Sequence, residues 1–200
     1  MKRLSKPIIF ITCLIPLLIL VMKGFMGRLS ANPLDDITDT TGDWTLRFVV
    51  LTLAITPIRK LFHWNALVRY RRMIGLYAFF YGSLHFLTFV VFDHFFNIAE
   101  ILSDVAKRPF ITVGFTAFVI MIPLAITSTN RWVQRLGGKR WQRIHRLIYL
   151  TAIGGVIHYL WLVKADIRRP LIYGGIVALL LGYRLFEFAR KKLPLQRAVA

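Results

Sequence analysis

Residues 141–163 are WQRIHRLIYLTAIGGVIHYLWLV, an apolar run with His145 and His158 near its two ends. A run of this length is typical of a transmembrane helix, because about 20 apolar residues cross a hydrocarbon core about 30 Å thick. An ionisable histidine side chain inside such a helix costs free energy unless it binds a ligand or a metal ion. The two imidazoles lie thirteen residues apart, which corresponds to about 20 Å along a helix. We therefore predict redox centres stacked across a membrane, with haem iron as the occupant.

The composition is that of an integral membrane protein, with 56% hydrophobic residues and a mean hydropathy of +0.59. The net charge is +18, but the basic residues fall between apolar runs rather than on one water-facing surface, which argues against nucleic-acid binding. Cys13 is the single cysteine. It excludes an internal disulfide, a cysteine-ligated iron–sulfur cluster and covalent haem attachment. Any haem is therefore bound non-covalently.

The apolar runs predict an all-α membrane protein, a bundle of six transmembrane helices that forms one haem-binding domain over residues 1–200. The predicted helices cover about 7–25, 44–62, 73–92, 110–128, 144–163 and 171–188. Strands are excluded because the runs lack alternation and are twice the length of a membrane strand. Pro16, Pro57 and Pro123 lie inside or at the end of these runs, where membrane bundles tolerate proline.

The basic residues predict the orientation. Nineteen of the 27 lysines and arginines, including Lys2, Arg3 and Arg197, fall on one side with a single acid, Glu187. The positive-inside rule puts that side, and both termini, in the cytoplasm. The same loops are suited to contact with anionic lipid headgroups or a cytosolic donor. Alternatively, the first run is a cleaved signal peptide.

His85 and His158 are predicted to lie at the same depth. Each is 13 or 14 residues from the basic side of an outward-running helix, or about 20 Å into the membrane. Two level imidazoles on facing helices are what one bis-histidine b-type haem requires. The alternative is that both rings hydrogen-bond to helix backbones or to hydroxyl groups inside the bundle. Gly82, Gly154 and Gly155 either make room for a porphyrin or allow close helix packing.

His145 lies at the basic end, and no intramembrane histidine matches its depth. Thirteen residues of ideal helix put it about 140° around the axis from His158, so it faces a different neighbour unless the helix is deformed. His63 is either its partner ligand or an interfacial loop residue, and His94 is predicted to be an outer-surface residue. Arg71, Arg72, Arg140 and Arg143 either serve membrane topology alone or hold a quinone headgroup or a flavin phosphate.

A set of short motifs in a fixed order carries a family resemblance. These are Arg71-Arg72 followed by Gly75-Leu76, then His85, Thr127-Ser128, Trp141 with His145, and His158-Tyr159-Leu160-Trp161. The chain resembles the MsrQ (YedZ) family of haem-binding membrane subunits, within the ferric reductase-like transmembrane superfamily. The resemblance covers nearly all six predicted helices.

The resemblance implies one b-type haem, or two, with His85, His145 and His158 as iron ligands, and a bound flavin mononucleotide (FMN). It also implies electrons drawn from the quinone pool and passed to a soluble periplasmic molybdopterin subunit. That subunit reduces methionine sulfoxide, supporting the repair of oxidised periplasmic proteins.

The leading hypothesis is an electron conduit that runs from a centre at His145 to a haem between His85 and His158. Such a chain is the electron-transfer subunit of an oxidoreductase, not its catalytic subunit. The alternatives are a membrane ferric or quinone reductase acting on a small acceptor, and a non-redox transporter that uses the histidines for metal or protons.

Overall fold

The computed structural model describes residues 5–192, and its regular secondary structure is entirely helical within that range. Residues 1–4 and 193–200 lie outside the described residues, and with them Lys2, Arg3, Arg197 and both termini of the predicted orientation. The described part contains the helical segments α1 Ser5–Phe25, α2 Pro33–Phe62, α3 Val68–Thr88, α4 Ile98–Lys107, α5 Pro109–Ile126, α6 Asn130–His145, α7 Ile148–Leu162 and α8 Arg168–Lys192. α6 is kinked at Gly137, whose φ of 72° and ψ of 149° are not helical. A single π-turn, Phe89–Asp93, extends α3.

Four helices form the centre of the bundle. α2 packs most extensively on α3, and α5 on α7, while α3 with α5 and α2 with α7 close the ring. α1 packs on α2 and α3, and α8 packs on α7 and α2. The core side chains come from all these elements, including Phe48, Leu53, Tyr81, Ala152 and Val177. This ring of four helices defines the cavity described below.

Tyr81 on α3 links this helix to α1 through hydrogen bonds between its hydroxyl and the α1 backbone next to Pro16. The backbone N–H of Leu17 donates to the Tyr81 hydroxyl at 3.2 Å, and that hydroxyl donates to the carbonyl of Cys13 at 2.9 Å. In an uninterrupted helix Leu17 would bond Cys13 directly. Tyr81 is completely buried, so its hydroxyl both accepts from and donates to the backbone of α1 away from water.

Four segments of the described chain are long and apolar enough to cross a membrane: 6–25, 65–93, 109–126 and 168–190. They confirm four of the six predicted runs as candidate spans. α2 and α7 do not meet the same test, since the apolar part of α2 is interrupted or flanked by Asp43, Arg47, Arg59 and Lys60, and α7 has only 15 residues. The six-span count and the orientation remain predictions.

Several predicted boundaries were wrong. The segment 144–163 is not one helix, because α6 ends at His145 and α7 begins at Ile148. The N–H of Arg146 donates to the carbonyls of Gln142 and Arg143, and that of Leu147 to the carbonyl of Ile144, so the helix tightens and ends there. His145 and His158 therefore belong to different helices.

Two helices lie where the sequence predicted loops. α4 begins after Asn97, whose side chain accepts a hydrogen bond from the N–H of Glu100. α6 begins after Thr129, whose side chain accepts a hydrogen bond from the N–H of Trp132. Both were missed because they are amphipathic rather than continuously apolar, so a search for spanning runs passes over them. α2 also starts earlier than predicted, at Pro33, with Asp35 and Asp36 favouring its first turn.

Candidate haem site

The imidazole rings of His85 on α3 and His158 on α7 have centroids 6.1 Å apart, with their planes inclined at 74°. Two metal–nitrogen bonds of about 2 Å, together with two ring radii of about 1 Å, add up to about 6 Å. The observed separation therefore matches the space that a single metal ion would need between two histidine ligands. The predicted depth match between the two residues agrees with this arrangement.

A backbone carbonyl orients each of the two rings. Nδ1 of His85 lies 3.0 Å from the carbonyl oxygen of Thr38 on α2, and Nδ1 of His158 lies 2.7 Å from that of Phe110 on α5. A carbonyl oxygen only accepts, so each Nδ1 carries the proton and each Nε2 keeps its lone pair. A metal-binding histidine has the same arrangement, with its second ring nitrogen donating to an outer partner.

Two glycines make room for these rings. A Cβ atom on Gly114 would lie 2.6 Å from Nδ1 of His158, and one on Gly42 would lie 3.0 Å from Cε1 of His85. The first distance is shorter than carbon and nitrogen tolerate, so any side chain at position 114 displaces the ring. Neither glycine was predicted from the sequence as part of the site, although a glycine inside an apolar helix is a signal of close approach.

The glycines singled out from the sequence have separate roles. Gly82 and Gly155 line the cavity between the histidines. Gly154 does not line it, and a Cβ there would lie 3.2 Å from that of Ala117. Gly154 therefore allows α7 and α5 to pack closely, as small residues do in membrane bundles.

A cavity of about 1020 Å³ surrounds the histidine pair. It is at the upper end of the range of about 300–1,000 Å³ for ligand pockets, which suits a large planar ligand. Its inner wall is apolar and aromatic, with Val49, Phe86, Phe115, Phe118 and Met121. The rings of Phe86 and Phe118 are stacked 4.9 Å apart. The donor set, the cradle and the flat apolar wall together fit a haem.

The cavity opens at one end of the bundle, which we call the acidic end. Its mouth is lined by Asp39, Asp43, Asp93, Asp104, Asp166, Arg108 and Arg169. Burial, followed by the carboxylates of Asp35, Asp43 and Asp36, raises the pKa of the Asp39 carboxyl. The carboxylates at the mouth are therefore crowded.

The two arginines at the mouth differ in how firmly they are held. Arg108 lies 3.4 Å from Asp104. Arg169 lies 3.9 Å from Asp43, which is bound more closely by Arg47 at 3.1 Å. The guanidinium of Arg169 also interacts with the Tyr159 side chain, and it lines the cavity, where it can contact a further anion at the mouth.

His94 also lies at this mouth, so the prediction of an outer-surface residue was wrong. Its side chain is only 11% exposed, and Nε2 lies 3.3 Å from a carboxylate oxygen of Asp104. Its ring packs 4.5 Å from that of Phe89. The π-turn and α4 together cover this histidine, a packing that hydropathy does not reveal.

His145 lies outside the cavity, at the opposite end of the bundle. Its ring stacks on Trp141 with centroids 3.9 Å apart, and Nε2 lies 3.1 Å from the hydroxyl of Thr127. That hydroxyl donates to the carbonyl of Pro123 at 2.6 Å, so it accepts from His145. The structure therefore brings no second histidine to His145 among the described residues. His63 caps the C-terminus of α2 in the left-handed conformation and is exposed.

Arg71 and Arg72 lie at the same end as His145, which we call the basic end, and neither lines the cavity. Arg72 donates to the side-chain oxygen of Asn130 at 2.6 Å. Arg71 is half-buried and interacts electrostatically with Tyr149, Arg184 and Arg59. The structure therefore separates these arginines from the histidine pair.

Comparison with known proteins gives a consistent result. Residues 41–156 match the family model "Ferric reductase like transmembrane component". A protein-methionine-sulfoxide reductase heme-binding subunit MsrQ from Herminiimonas arsenicoxydans is 57% identical over 94% of this chain and 88% of its own length. The proteins of the same name from Ralstonia nicotianae and Rhodospirillum rubrum are 51% and 46% identical, over 89% and 95% of this chain and 83% and 91% of their own lengths. No solved structure matches.

The matched residues 41–156 include Gly42, His85, Gly114 and His145 but end just before His158, whereas the matches to the curated relatives cover most of both chains. Together with the apolar helices, these family and relative matches show that this is a membrane protein. The chain belongs to the MsrQ family, within the ferric reductase-like transmembrane components.

Proposed function

We propose that this chain is a membrane b-type cytochrome subunit that passes electrons through a haem held by His85 and His158. The observation that carries the proposal is the pair of carbonyl-anchored imidazoles 6.1 Å apart inside a cavity of about 1020 Å³. When bound, haem supplies one-electron redox chemistry. The relatives are named as heme-binding subunits, which supports the same assignment.

The chain's own residues hold, orient and shield the group. The carbonyls of Thr38 and Phe110 fix the tautomer of the two ligands, and the phenylalanine wall keeps water from the iron. Arg169 and Arg108 are placed to bind the propionates at the mouth. A dry, low-dielectric setting of this kind is how a protein sets a haem potential.

The partners we propose follow from the family. The names of the relatives place them in a protein-methionine-sulfoxide reductase. We propose that the acceptor is a periplasmic molybdopterin-containing subunit that reduces methionine sulfoxide. It would take electrons at the acidic end, where the haem cavity opens. The chain would then lie in the bacterial inner membrane as six spans and a single domain, with the basic end and both termini in the cytoplasm.

The basic end is the proposed entry point for electrons. His145, Arg71 and Arg72 lie there, and we propose that quinone or FMN binds beside them, with the flavin phosphate at the arginines. Ligation of iron by Nε2 of His145 would require the ring to give up its hydrogen bond to Thr127. With that bond intact the neutral ring keeps its lone pair on Nδ1, so a second centre at this position would need ligation through Nδ1 or a local rearrangement.

A reduced-minus-oxidised spectrum of the purified membrane protein, with haem and flavin quantified per chain, tests the proposal. We expect a low-spin b-type spectrum with at least one haem per chain. A colourless protein without a Soret band would contradict the proposal and favour a non-redox transporter. Reduction of iron chelates by the subunit alone would favour the second candidate, a reductase for small acceptors, which the ferric reductase-like family match supports.

A further inference from the structure

α4, Ile98–Lys107, has a distinct apolar side and a polar side. Ile98, Ile101, Leu102 and Val105 lie within about 100° of one another around the helix axis, and Glu100, Ser103, Asp104 and Lys107 occupy the opposite side. Ile101 and Val105 are half-buried against the bundle. Ile98 and Leu102, by contrast, are 70% and 62% exposed. Half of the apolar side is thus not covered by the protein.

The turn before α4 adds two more exposed apolar side chains. Phe95 and Phe96 are 79% and 65% exposed, and both have positive φ angles, 44° and 62°. An aromatic residue rarely adopts that conformation, because its Cβ approaches the backbone. The turn therefore has a strained backbone and exposes two phenylalanine rings. Contact of these apolar rings with water would not offset that strain.

The position of α4 indicates what covers this surface. The helix joins the candidate span that ends at Asp93 to the candidate span that begins at Pro109. Four residues, 94–97, precede it, and Arg108 alone follows it. Such short connections keep α4 at the level where both spans leave the membrane, so its exposed apolar side adjoins their lipid-facing surfaces.

We propose that α4 and the Phe95-Phe96 turn are a membrane-interface anchor, seated in the lipid leaflet at the acidic end. Ile98, Leu102 and the two phenylalanines enter the boundary between headgroups and acyl chains, while Glu100 and Lys107 face water. This is the usual orientation of an amphipathic helix on a bilayer.

The anchor would fix the cavity mouth relative to the membrane surface. Asp104 on α4 contacts both His94 and Arg108, and the Thr112 hydroxyl on α5 donates to the carbonyl of Val105. All three contacts join α4 to residues in or beside the mouth. The proposal holds independently of which cofactor the cavity binds.

Site-directed spin labelling tests the proposal in the full chain, reconstituted at one copy per nanodisc of phosphatidylcholine and phosphatidylglycerol. Nitroxides are attached in a Cys13→Ala background at Leu102→Cys and Ile98→Cys, with Lys107→Cys and Glu100→Cys as matched positions on the polar side. The measurement is collision of each label with oxygen, which concentrates in the acyl region, and with a water-soluble nickel chelate. Circular dichroism and elution volume confirm that each variant is folded, and the paired positions keep one failed variant from deciding the result.

We expect oxygen to dominate at Ile98 and Leu102 and the nickel chelate to dominate at Glu100 and Lys107. Nickel access at all four positions would overturn the proposal and leave the surface free for a soluble partner. Shielding of Ile98 and Leu102 from both reagents would also overturn it, since protein rather than lipid would then cover them. Both readouts are independent of haem content, so failure here leaves the proposed function standing.

Discussion

His85 and His158 are separated by 73 residues of sequence, yet their ring centroids are 6.1 Å apart. Each ring is oriented by a helix other than its own, through the carbonyl of Thr38 on α2 or of Phe110 on α5. All four central helices are thus needed to present two imidazoles to one site. A disturbance in any of these helices should be detected at the haem.

Removal of either ring should abolish the low-spin b-type spectrum. His85→Ala and His158→Ala would each delete one of the two proposed iron ligands, and a haem left with one ligand becomes high-spin or is lost. Haem per chain and the reduced spectrum are the measurements. His63→Ala is the control, because His63 is exposed at the end of α2. Unchanged haem content in both cavity variants would refute the ligation scheme.

Gly114→Ala should weaken haem binding without removing a ligand. The new Cβ would lie 2.6 Å from Nδ1 of His158, so the ring must shift and its bond to Phe110 must weaken. Overpacking of this kind costs about 1–3 kcal/mol, which corresponds to about 5- to 150-fold in haem affinity.

Haem titration of the apoprotein measures the effect of Gly114→Ala. Gly175→Ala is the matched control, since no heavy atom lies within 4 Å of a Cβ there. Gly42→Ala should have a smaller effect, because its closest approach to His85 is 3.0 Å. Equal affinities for Gly114→Ala and Gly175→Ala would show that the ring position does not govern binding.

Arg169→Gln should speed haem dissociation by a few-fold, because a partly exposed ion pair contributes about 0.2–1 kcal/mol. Its neighbour Arg168 does not line the cavity, so Arg168→Gln is a control that removes the same charge. Stopped-flow transfer of haem to an acceptor protein measures the rate.

Haem dimethyl ester, which lacks free propionates, separates the propionate contact from a general effect of Arg169. The difference between Arg169→Gln and the unsubstituted chain should disappear with the ester. If it persists, Arg169 acts on the fold of the mouth and not on the propionates.

Tyr81→Phe should lower the free energy of unfolding in mixed micelles by about 1–3 kcal/mol, the cost of leaving buried polar groups unsatisfied. The hydroxyl bonds both Leu17 N–H and the Cys13 carbonyl. Tyr183→Phe, at a half-buried position of α8, is the control for loss of a tyrosine hydroxyl. Equal stability of the two variants would mean that α1 closes its own ladder when the hydroxyl is absent.

Hydropathy and helical rise were enough to predict the membrane class and the helical fold, and they paired His85 with His158, whose rings the structure brings together. These are local properties, because the number of apolar residues sets the length of a span and the position of a residue along it sets its depth. The same reasoning predicted one helix over 144–163, and that was wrong. No proline or glycine marks a break at Arg146 and Leu147, but the hydrogen bonds tighten there, from Leu147 N–H to Ile144 and from Tyr149 N–H to Arg146.

The partners of the two histidines came from the packing of helices. Every residue offers a carbonyl, so no sequence pattern marks those of Thr38 and Phe110 as the acceptors. The need for glycine at positions 42 and 114 arises only when another helix brings a ring against them. The burial of His94 has the same origin, since α4 covers it from a separate segment. Contacts between distant segments depend on how the helices pack around a shared cavity. The local sequence pattern of each helix does not determine that packing.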